Sequence, residues 1–445
     1  MSVRFGKKAS WAALVCLMIP MFASYFFDDM FSSVSHLFKH PEMLELGWNS
    51  LDLGNFIGDY SLLCVCGGLV VGGILLDMFG VRIMGSVFIG MMVGGAALAW
   101  FGVASGLPRE TAILIGRIGR MMFGLGSEIA GVAVTRSIAK WFKGGGMSFA
   151  MSLQLALARF GTALAILTAP FIVGVPKEFY SIADTARPAL TGLAFLVAGG
   201  LAWALFVALD SKFDRDRGIS FKRGEVTEEN RFRFSDITKV LGNPRFIMIG
   251  LLCVSFYCCV SSFKKFGTSV VIPRFGIDDM KAGVMVAMIP FFTIIFTPLF
   301  GALVDRFGHA TRWMIAGSFA VLLGHIDLAF APQGVAFFGY AGIALLGLGY
   351  SLVPSAMWPS VPKIVPEKNL GTAYSLIYWI QNVGLFFVPK IVGGIFSRET
   401  GVEAAMHVEW LFIGLGLFAV SVAAMLKASS VSHRELGLDE PGKKH

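Results

Sequence analysis

The chain has 445 residues, of which 56% are hydrophobic and 15% are charged, whereas soluble globular proteins carry about 25% charged residues. This composition excludes an ordinary soluble domain and predicts a polytopic membrane protein. The formal net charge of +8 is not accompanied by a nucleic-acid-binding motif, so we attribute it to cytoplasmic loops that hold the orientation in the membrane. The six cysteines lie in apolar segments without zinc-site spacing, and we expect them to pack as small hydrophobic residues.

Twelve apolar runs are each long enough to cross a bilayer as a helix. The first run lacks a small-residue cleavage site, so we interpret it as a membrane span and not as a removed signal peptide. The predicted spans cover residues 11–32, 52–76, 84–106, 111–137, 147–173, 188–210, 246–272, 281–304, 312–331, 334–358, 370–396 and 406–427.

One long polar stretch, residues 211–245, separates the sixth predicted span from the seventh. It divides the chain into an N-terminal six-helix bundle (1–210), a linker, a C-terminal six-helix bundle (246–430) and a tail (431–445). The predicted fold is therefore an all-α polytopic membrane protein with two six-helix halves.

Basic residues are concentrated on one side of this topology, and the opposite loops carry fewer. Because cytoplasmic loops hold the excess of lysine and arginine, we predict that both termini and the linker are cytoplasmic. The residues on that side, besides those of the linker, are Arg4, Lys7, Lys8, Arg136, Lys140, Lys143, Lys363 and Lys368.

A short motif, G-x-L-x-D-x-x-G, occurs at residues 73–80 and again at 301–308, in the second-to-third and eighth-to-ninth connections. The glycines permit tight turns and close helix contact. An aspartate at a helix end can cap a neighbouring helix or pair with an arginine. We therefore predict gating contacts of Asp77 with Arg82, and of Asp305 with Arg306 or Arg312.

Glu128 in the fourth span and Arg159 in the fifth place opposite charges at similar depth from the loop that joins the two helices. Charges inside a bilayer usually face a partner or an aqueous cavity. A zwitterionic substrate needs one anion and one cation facing a shared cavity, and arginine can bind a carboxylate through two parallel hydrogen bonds. We predict that the pair binds substrate; a purely structural Glu–Arg ion pair is the alternative.

Further charged groups lie toward the outer side. Arg120 is predicted to face the cavity, whereas we expect Arg117, a turn nearer the outer end, to extend to the interface. Asp28 and Asp29 follow Tyr25 in the first span. Because adjacent residues of a helix point about 100° apart, at most one of these aspartates faces the pore; a solvated helix end is the alternative.

Three more candidates lie in the C-terminal half. Trp358 stands among Pro354, Pro359 and other prolines, which suggests a broken helix that lines a cavity; an interfacial anchor is the alternative. Gln381 and Asn382 could hydrogen-bond a polar substrate, or they could join neighbouring helices.

The repeated loop motif resembles that of the major facilitator superfamily. The sequence is further similar to the lysosomal dipeptide transporter family within it, across both halves. The resemblance implies facilitated transport of dipeptides, with Glu128 and Arg159 engaging the two peptide termini and Trp358 lining the cavity. The runs that carry it are SYFFDD (24–29), GRMMFGLGSE (119–128), WFKGGG (141–146), LQLALARFG (153–161), LLGLGYSL (345–352), MWPSVPKIVPEKNLGTAYS (357–375) and IQNVGL (380–385).

The chain departs from that family in two respects. Ser127 stands where relatives tend to have a second glycine, and no N-x-S/T glycosylation site occurs in the outer loops. We therefore expect a bacterial-type inner membrane in preference to a lysosomal one, a monomer, and no accessory membrane glycoprotein as partner.

The predicted mechanism is alternating access, in which two halves rock about a central site. No G-x-x-x-x-G-K-[ST] motif is present, which excludes ATP-driven transport of that type. The resemblance favours uniport; the alternative is proton-coupled symport of peptides, or of another small organic anion or zwitterion, because a desolvated Glu128 can titrate. No enzyme motif was found, and we expect no cofactor, metal or nucleic acid. A substrate sensor is the remaining class.

Overall fold

The structure is a computed structural model that describes residues 7–142, 147–216, 234–366, 369–432 and 437–440. Arg4, Lys143, Lys368, the centre of the predicted linker and most of the tail lie outside these ranges. Within them the chain is almost entirely helical, and its extended structure is one isolated bridge between Leu44 and Tyr180.

Fifteen α-helices are described. They are α1 (Lys7–Asp29), α2 (Ser50–Asp59), α3 (Leu69–Ala104), α4 (Arg109–Trp141), α5 (Met147–Val173), α6 (Ile182–Asp216), α7 (Phe234–Leu241), α8 (Pro244–Tyr257), α9 (Phe263–Phe275), α10 (Asp279–Phe307), α11 (Ala310–Phe330), α12 (Ala336–Met357), α13 (Val361–Ile364), α14 (Leu370–Arg398) and α15 (Gly401–Ser432). Short 3₁₀ segments are Ser32–Lys39, Pro41–Met43 and Trp358–Ser360, and π-helical segments are Cys64–Gly68 and Cys258–Ser262.

These helices supply the twelve predicted spans. Ten helical stretches of the described chain are long and apolar enough to cross a membrane. One of them, Ser50–Ala104, has 55 residues and contains the second and third predicted spans; it turns at Gly80, where φ is 81° and ψ is 161°. The predicted fourth span is α4, which is not among the ten and carries seven charged residues.

The described helices form two compact units. The first contains α1, residues 41–48, and the chain from residue 59 to the end of α6. The second contains residues 32–40 and 49–58 together with α7 to α15. Each unit therefore has its own packing.

In the first unit, small residues bring α3 and α4 into close contact. A Cβ atom added to Gly95 would overlap the backbone of α4 at Phe123, and one added to Gly119 would overlap α3 at Ala99. Small residues at such contacts are typical of membrane helix pairs, because lipid supplies no hydrophobic drive for helix association. The charged helix α4 is thereby packed along the apolar helix α3.

In the second unit, helix starts and breaks follow from single residues. The Asn243 side chain caps α8 by accepting from the Arg245 backbone N–H at 3.0 Å, and Asp278 caps α10 by accepting from that of Lys281 at 2.8 Å. The left-handed Gly276, with φ of 62°, ends α9. These boundaries set the register of the helices that follow.

A buried ionisable pair joins α11 to α15. His325 Nδ1 lies 2.8 Å from Glu409 Oε2, and both side chains are fully buried. The imidazole stacks on Phe412 and meets Phe263 edge-on. The pair sits among aromatic rings, as expected for polar groups that connect helices inside a bilayer.

The four described tail residues, Gly437–Glu440, bind the start of α11. The carboxylate of Asp439 accepts hydrogen bonds from the backbone N–H and hydroxyl of Thr311 at 2.8–2.9 Å, from Lys427 at 2.7 Å and from Ser430 at 3.0 Å. Its backbone carbonyl accepts from the N–H of His309 at 2.7 Å. Acceptors at a helix N-terminus satisfy its free N–H groups, so the tail serves as the cap of α11.

Candidate functional site

The carboxylate of Glu128 accepts a hydrogen bond from a phenol hydroxyl. Glu128 lies on α4 and is partly buried. The phenol of Tyr60 donates to Glu128 Oε1 at 3.0 Å and to Ser127 Oγ at 3.3 Å. Ser127 shares a hydrogen bond of 2.5 Å with Ser24 of α1. Within the part of the chain that the structure describes, Glu128 makes no ion pair, so no described cation neutralises it.

Arg120, on the same helix, has an anionic partner. It is only 1% exposed, and its guanidinium donates to the carboxylate of Asp28 on α1. The guanidinium carbon also lies 5.3 Å from the ring centroid of Tyr60 and 5.4 Å from that of Phe123, within the range of cation–π interactions. Arg120 and Asp28 thus form a compensated pair beside Glu128.

Asp29 and Arg117, which neighbour this pair in the sequence, also have partners within the protein. Asp29 is buried and accepts a hydrogen bond from Thr162 of α5 at 2.7 Å. Of the two aspartates of α1, therefore, Asp28 is the partly exposed one. Arg117 Nε binds the buried carboxylate of Asp59 at 2.5 Å, so it does not extend alone to the interface as its position near the outer end suggested.

Arg159 is partly buried on α5, one of the helices that pack against α1 and α4. Gly161 allows this approach, because a Cβ atom there would overlap the carbonyl oxygen of Phe22. The ion pair between Arg159 and Glu128, which was the structural alternative, does not occur among the described residues. Opposite charges therefore lie on contacting helices of the first unit without binding each other. Tyr25 of α1 is partly buried in the same unit.

An aromatic group surrounds Trp358 in the second unit. As the prolines predicted, α12 ends at Met357 and continues as the 3₁₀ segment Trp358–Ser360. The indole N–H of Trp358 donates to the Tyr257 hydroxyl at 3.2 Å, and the indole stacks on Tyr378 with centroids 5.1 Å apart. Tyr374 donates to the backbone carbonyl of Trp358 at 3.3 Å. The indole is thus held by Tyr257 and Tyr378, and the backbone of Trp358 by Tyr374.

The two amides of α14 have partners within the protein. Gln381 Oε1 accepts a weak hydrogen bond from the thiol of Cys253 on α8 at 3.4 Å. Asn382 is 1% exposed and donates to the Tyr378 carbonyl of its own helix at 3.0 Å. The contact of Gln381 corresponds to the helix-joining alternative, whereas that of Asn382 stays within α14. A role of either residue in binding substrate stays a prediction.

The first copy of the loop motif makes ion pairs other than those expected. Within the described ranges Asp77 pairs with Arg136 of α4, and not with Arg82. Arg82 instead reaches α6, where Nε binds Asp210 at 2.5 Å and Nη2 binds the carboxylate of Asp214. Asp210 and Asp214 are four residues apart, so they lie on one face of α6 and receive the same guanidinium.

Two more donors complete this cluster. Lys140 Nζ lies 2.8 Å from Asp210 and 3.0 Å from Asp214. The indole N–H of Trp141 donates to Asp210 Oδ1 at 2.7 Å. The cluster therefore joins α3, just after its turn at Gly80, to the C-terminal ends of α4 and α6. The sequence predicts that these parts lie near the cytoplasm.

In the second copy of the motif, the expected ion pairs are absent. Asp305, Arg306 and Arg312 are exposed, and among the described residues Asp305 pairs with neither arginine. The guanidinium of Arg306 lies 5.3 Å from the ring centroid of Phe307. The polar partner of this loop is the tail, because Asp439 binds the loop at His309 and Thr311.

A family model decides the affiliation. The model for the Major Facilitator Superfamily matches residues 17–389, and a second match covers residues 258–437. The chain belongs to the major facilitator superfamily. It is accordingly a multi-pass membrane transporter and not a member of an enzyme family.

Relatives within the superfamily carry a more specific name. The lysosomal dipeptide transporter MFSD1 of Danio rerio is 28% identical over 363 residues, covering 80% of this chain and 74% of that protein. The human protein of the same name is 30% identical over 291 residues, covering 63% of this chain and 59% of its own length. This chain thus spans about three fifths of the human relative. The family resemblance read from the sequence is confirmed.

A solved structure supports the fold. The crystal structure of a mutant of the nucleoside transporter NupG superposes with a TM-score of 0.66 and covers 94% of this chain and 99% of that one. The sequence identity is 13%, so the likeness shows the fold alone. The predicted all-α major facilitator fold is confirmed.

In this major facilitator chain, the predicted site residues fall into two groups. Glu128, Arg120 and Asp28 lie around Tyr60, with Arg159 and Tyr25 on the adjoining α5 and α1. Trp358, Gln381 and Asn382 belong to the second unit. Their role in substrate binding stays a prediction. Within the described ranges, no cluster of three or more His, Cys, Asp or Glu could hold a metal ion.

Sequence reasoning missed the residues that hold these charges. Tyr60 carries no charge, and nothing local to it signals that its hydroxyl reaches a residue 68 positions away. Asp210 and Asp214 were not among the predicted site residues, although their spacing of four residues marks one face of a helix. Asp439 lay in a tail without a recognisable motif.

Proposed function

We propose that this transporter carries dipeptides by facilitated uniport with alternating access. The observation that carries the proposal is the partly buried carboxylate of Glu128, which is bound by a neutral phenol and by no described cation. A charge left uncompensated in a bilayer is costly unless a ligand or water meets it. The names of the relatives, lysosomal dipeptide transporters, support a peptide as that ligand.

The chemistry of a dipeptide fits the two charges. In the proposed complex the ammonium of the peptide binds Glu128, and its carboxylate binds the guanidinium of Arg159 through paired hydrogen bonds. The Arg120–Asp28 pair is already compensated, so it shapes the field of the site without requiring a charge from the substrate. Because Glu128 is left to bind an ammonium group and Arg159 a carboxylate, the proposed site suits a zwitterion better than a simple anion.

The ion clusters at the loops supply the proposed gating elements. Alternating access requires contacts that break and form as the transporter cycles. The cluster of Arg82, Asp210 and Asp214 and the pair of Asp77 with Arg136 are candidates in the first unit. In the second unit the loop bound by Asp439 is the corresponding candidate.

Transport by purified protein in proteoliposomes tests the substrate. We expect uptake of labelled alanyl-alanine down its gradient, and a loss of roughly tenfold or more in uptake for Glu128→Gln and for Arg159→Ala, since each removes a charged hydrogen-bond partner. Glu110→Gln, at an exposed side chain in the first turn of α4, is a control for handling. If both site variants kept wild-type uptake, the assignment of the two residues would be wrong.

Proton-coupled symport is the second candidate, because the same uncompensated carboxylate could carry a proton through the cycle. A pH gradient imposed on the proteoliposomes separates the two mechanisms. Uniport predicts equilibration of peptide to the outside concentration whatever the gradient. Accumulation of peptide above that concentration when the outside is acidic would contradict uniport and support symport.

We also propose a cell-membrane location with both termini and the linker cytoplasmic, on the basis of the distribution of basic residues. Fusions at residue 445 of the full chain in a bacterial host test the orientation. A green fluorescent protein fusion should fluoresce, and an alkaline phosphatase fusion should be inactive. The opposite pair of results would reverse the topology.

A further inference from the structure

Tyr60 occupies a break between two helical stretches. Helix α2 ends at Asp59, residues 60 and 61 form a turn, and the π-helical segment Cys64–Gly68 follows. Within that segment Gly67 has φ of 98°, a conformation that residues with a side chain rarely adopt. The break places the tyrosine beside α4, outside the regular helical register.

Close packing fixes the backbone of Tyr60 against α4. A Cβ atom added to Gly124 would overlap the carbonyl oxygen of Tyr60. Only a glycine therefore fits at this point of α4. Because Gly124 lies one turn before Glu128 on the same helix, the contact also sets the distance from Tyr60 to the carboxylate.

The ring of Tyr60 is held as firmly as its backbone. It meets Phe123 edge-on at a centroid distance of 5.9 Å, and the guanidinium of Arg120 lies 5.3 Å from its centroid. Arg120 is itself fixed by Asp28. These contacts orient the hydroxyl, which reaches Glu128 Oε1 at 3.0 Å and Ser127 Oγ at 3.3 Å.

We propose that Tyr60 is a positioning residue for Glu128 and thereby determines recognition of the substrate's ammonium group. A phenol that donates to Oε1 orients the carboxylate but brings no positive charge, so the anion keeps its charge for the substrate. The other oxygen, Oε2, binds no described residue and is left for the ammonium. A lysine at position 60 would neutralise the same carboxylate. This inference rests on the proposed function.

The hydroxyl pair of Ser127 and Ser24 extends the arrangement to α1, with an oxygen–oxygen distance of 2.5 Å. Tyr60, Ser127 and Ser24 are all uncharged, so the network transmits position and not charge. A group held from several sides loses less entropy when it binds a ligand. The ammonium therefore meets a carboxylate that is already oriented.

The experiment compares alanyl-alanine with N-acetyl-alanyl-alanine, which lacks the ammonium group. We expect Tyr60→Phe to raise the KM for alanyl-alanine about tenfold, with kcat nearly unchanged, and to leave the weak binding of the acetylated peptide as it is. The preference for the free amine thus falls by the same factor. In a Glu128→Gln background, Tyr60→Phe should cause no further change in this preference.

Two variants serve as matched comparisons. Tyr180→Phe removes another buried tyrosine hydroxyl of the first unit, one that accepts from the Lys177 N–H at 3.0 Å, and should keep the wild-type preference. Tyr60→Gln supplies an uncharged N–H donor and should recover part of the preference that Tyr60→Phe loses. It also decides the matter if Tyr60→Phe folds poorly, because a Tyr60→Gln variant with the full wild-type preference or with an equal loss for both peptides would contradict the role of the phenol.

The outcomes separate the two proposals. The role of Tyr60 would be overturned if Tyr60→Phe kept the wild-type preference for the free amine, or if the affinity for both peptides fell equally. Either result would leave the dipeptide site intact. A wild-type protein that binds neither peptide, or a Glu128→Gln variant with the full preference, would overturn the proposed function together with this inference.

Discussion

The two copies of the G-x-L-x-D-x-x-G motif are stabilised in different ways. In the first, Arg82 binds two carboxylates of α6, and Asp77 binds Arg136. In the second, the charged residues are exposed and the start of α11 is bound by Asp439 from the tail. Similar loops thus meet different partners: side chains of α4 and α6 bind the first, whereas the tail binds the second. The motif determines the turn, and the neighbouring segment determines how firmly it is held.

We expect the largest difference in stability between the two loops for Arg82→Gln compared with Arg312→Gln. The side chain of Arg82 is 17% exposed and that of Asp210 only 5%, and removing one partner of a buried ionic group costs about 3 kcal/mol. Arg312 is exposed, so its substitution should stay within about 0.5 kcal/mol. Thermal unfolding of both variants in one detergent measures this, and equal melting temperatures would contradict the comparison.

Asp439→Asn should have the next largest effect on stability. An asparagine can keep part of the contact with Thr311, but it loses the ion pair with Lys427 at 2.7 Å, for an expected loss of about 1–2 kcal/mol. Glu440→Gln is the matched control, because that side chain is exposed. Melting temperature and protease cleavage within the tail both report the change. A tail equally protected in Asp439→Asn would show that other contacts hold it.

Acid should release the same contact. Burial raises the pKa of Asp439, but the hydrogen bonds from Lys427, Thr311 and Ser430 outweigh it and lower the pKa from 3.8 to about 2. A carboxyl whose pKa is depressed by folding stabilises the protein above its unfolded pKa and loses that contribution as the pH falls. The melting-temperature gap between wild type and Asp439→Asn should therefore be constant above about pH 5 and narrow between about pH 4 and pH 2. A gap independent of pH would contradict this.

The smallest effect is expected for Asp77→Asn compared with Asp305→Asn. The Asp77–Arg136 pair is open to solvent, with side chains 52% and 41% exposed, and such pairs contribute less than about 1 kcal/mol. Both variants should therefore melt close to wild type despite their place in the motif. A loss for Asp77→Asn as large as that for Arg82→Gln would mean that the exposed pair belongs to the buried cluster.

The fold was predictable because it depends on the length of apolar runs. Each span needs about 20 apolar residues, and this signal survives even in α4, where charges lower the mean hydropathy. The break at Trp358 was also predictable, since proline cannot continue a regular helix. The turn at Gly80 followed from the motif.

The contacts of the charges were less predictable. Asp77 and Arg82 are near in sequence, yet both point to other helices. The direction of a side chain depends on helix rotation and on the tertiary packing around it, which a repeated pattern of residues does not contain. For the same reason the charge of Glu128 marks it in the sequence, whereas the neutral Tyr60 that holds it has no such signal.

The close contact of α3 with α4 has a consequence for how the protein is made. Helix α4 is not among the stretches apolar enough to insert by composition, whereas α3 is, and glycines at positions 95 and 119 bring the two backbones together. We therefore expect the two helices to enter the bilayer as a hairpin, in which the apolar helix accompanies its charged partner. A bulky residue at either glycine would first show itself as a failure of biogenesis, before any transport could be measured.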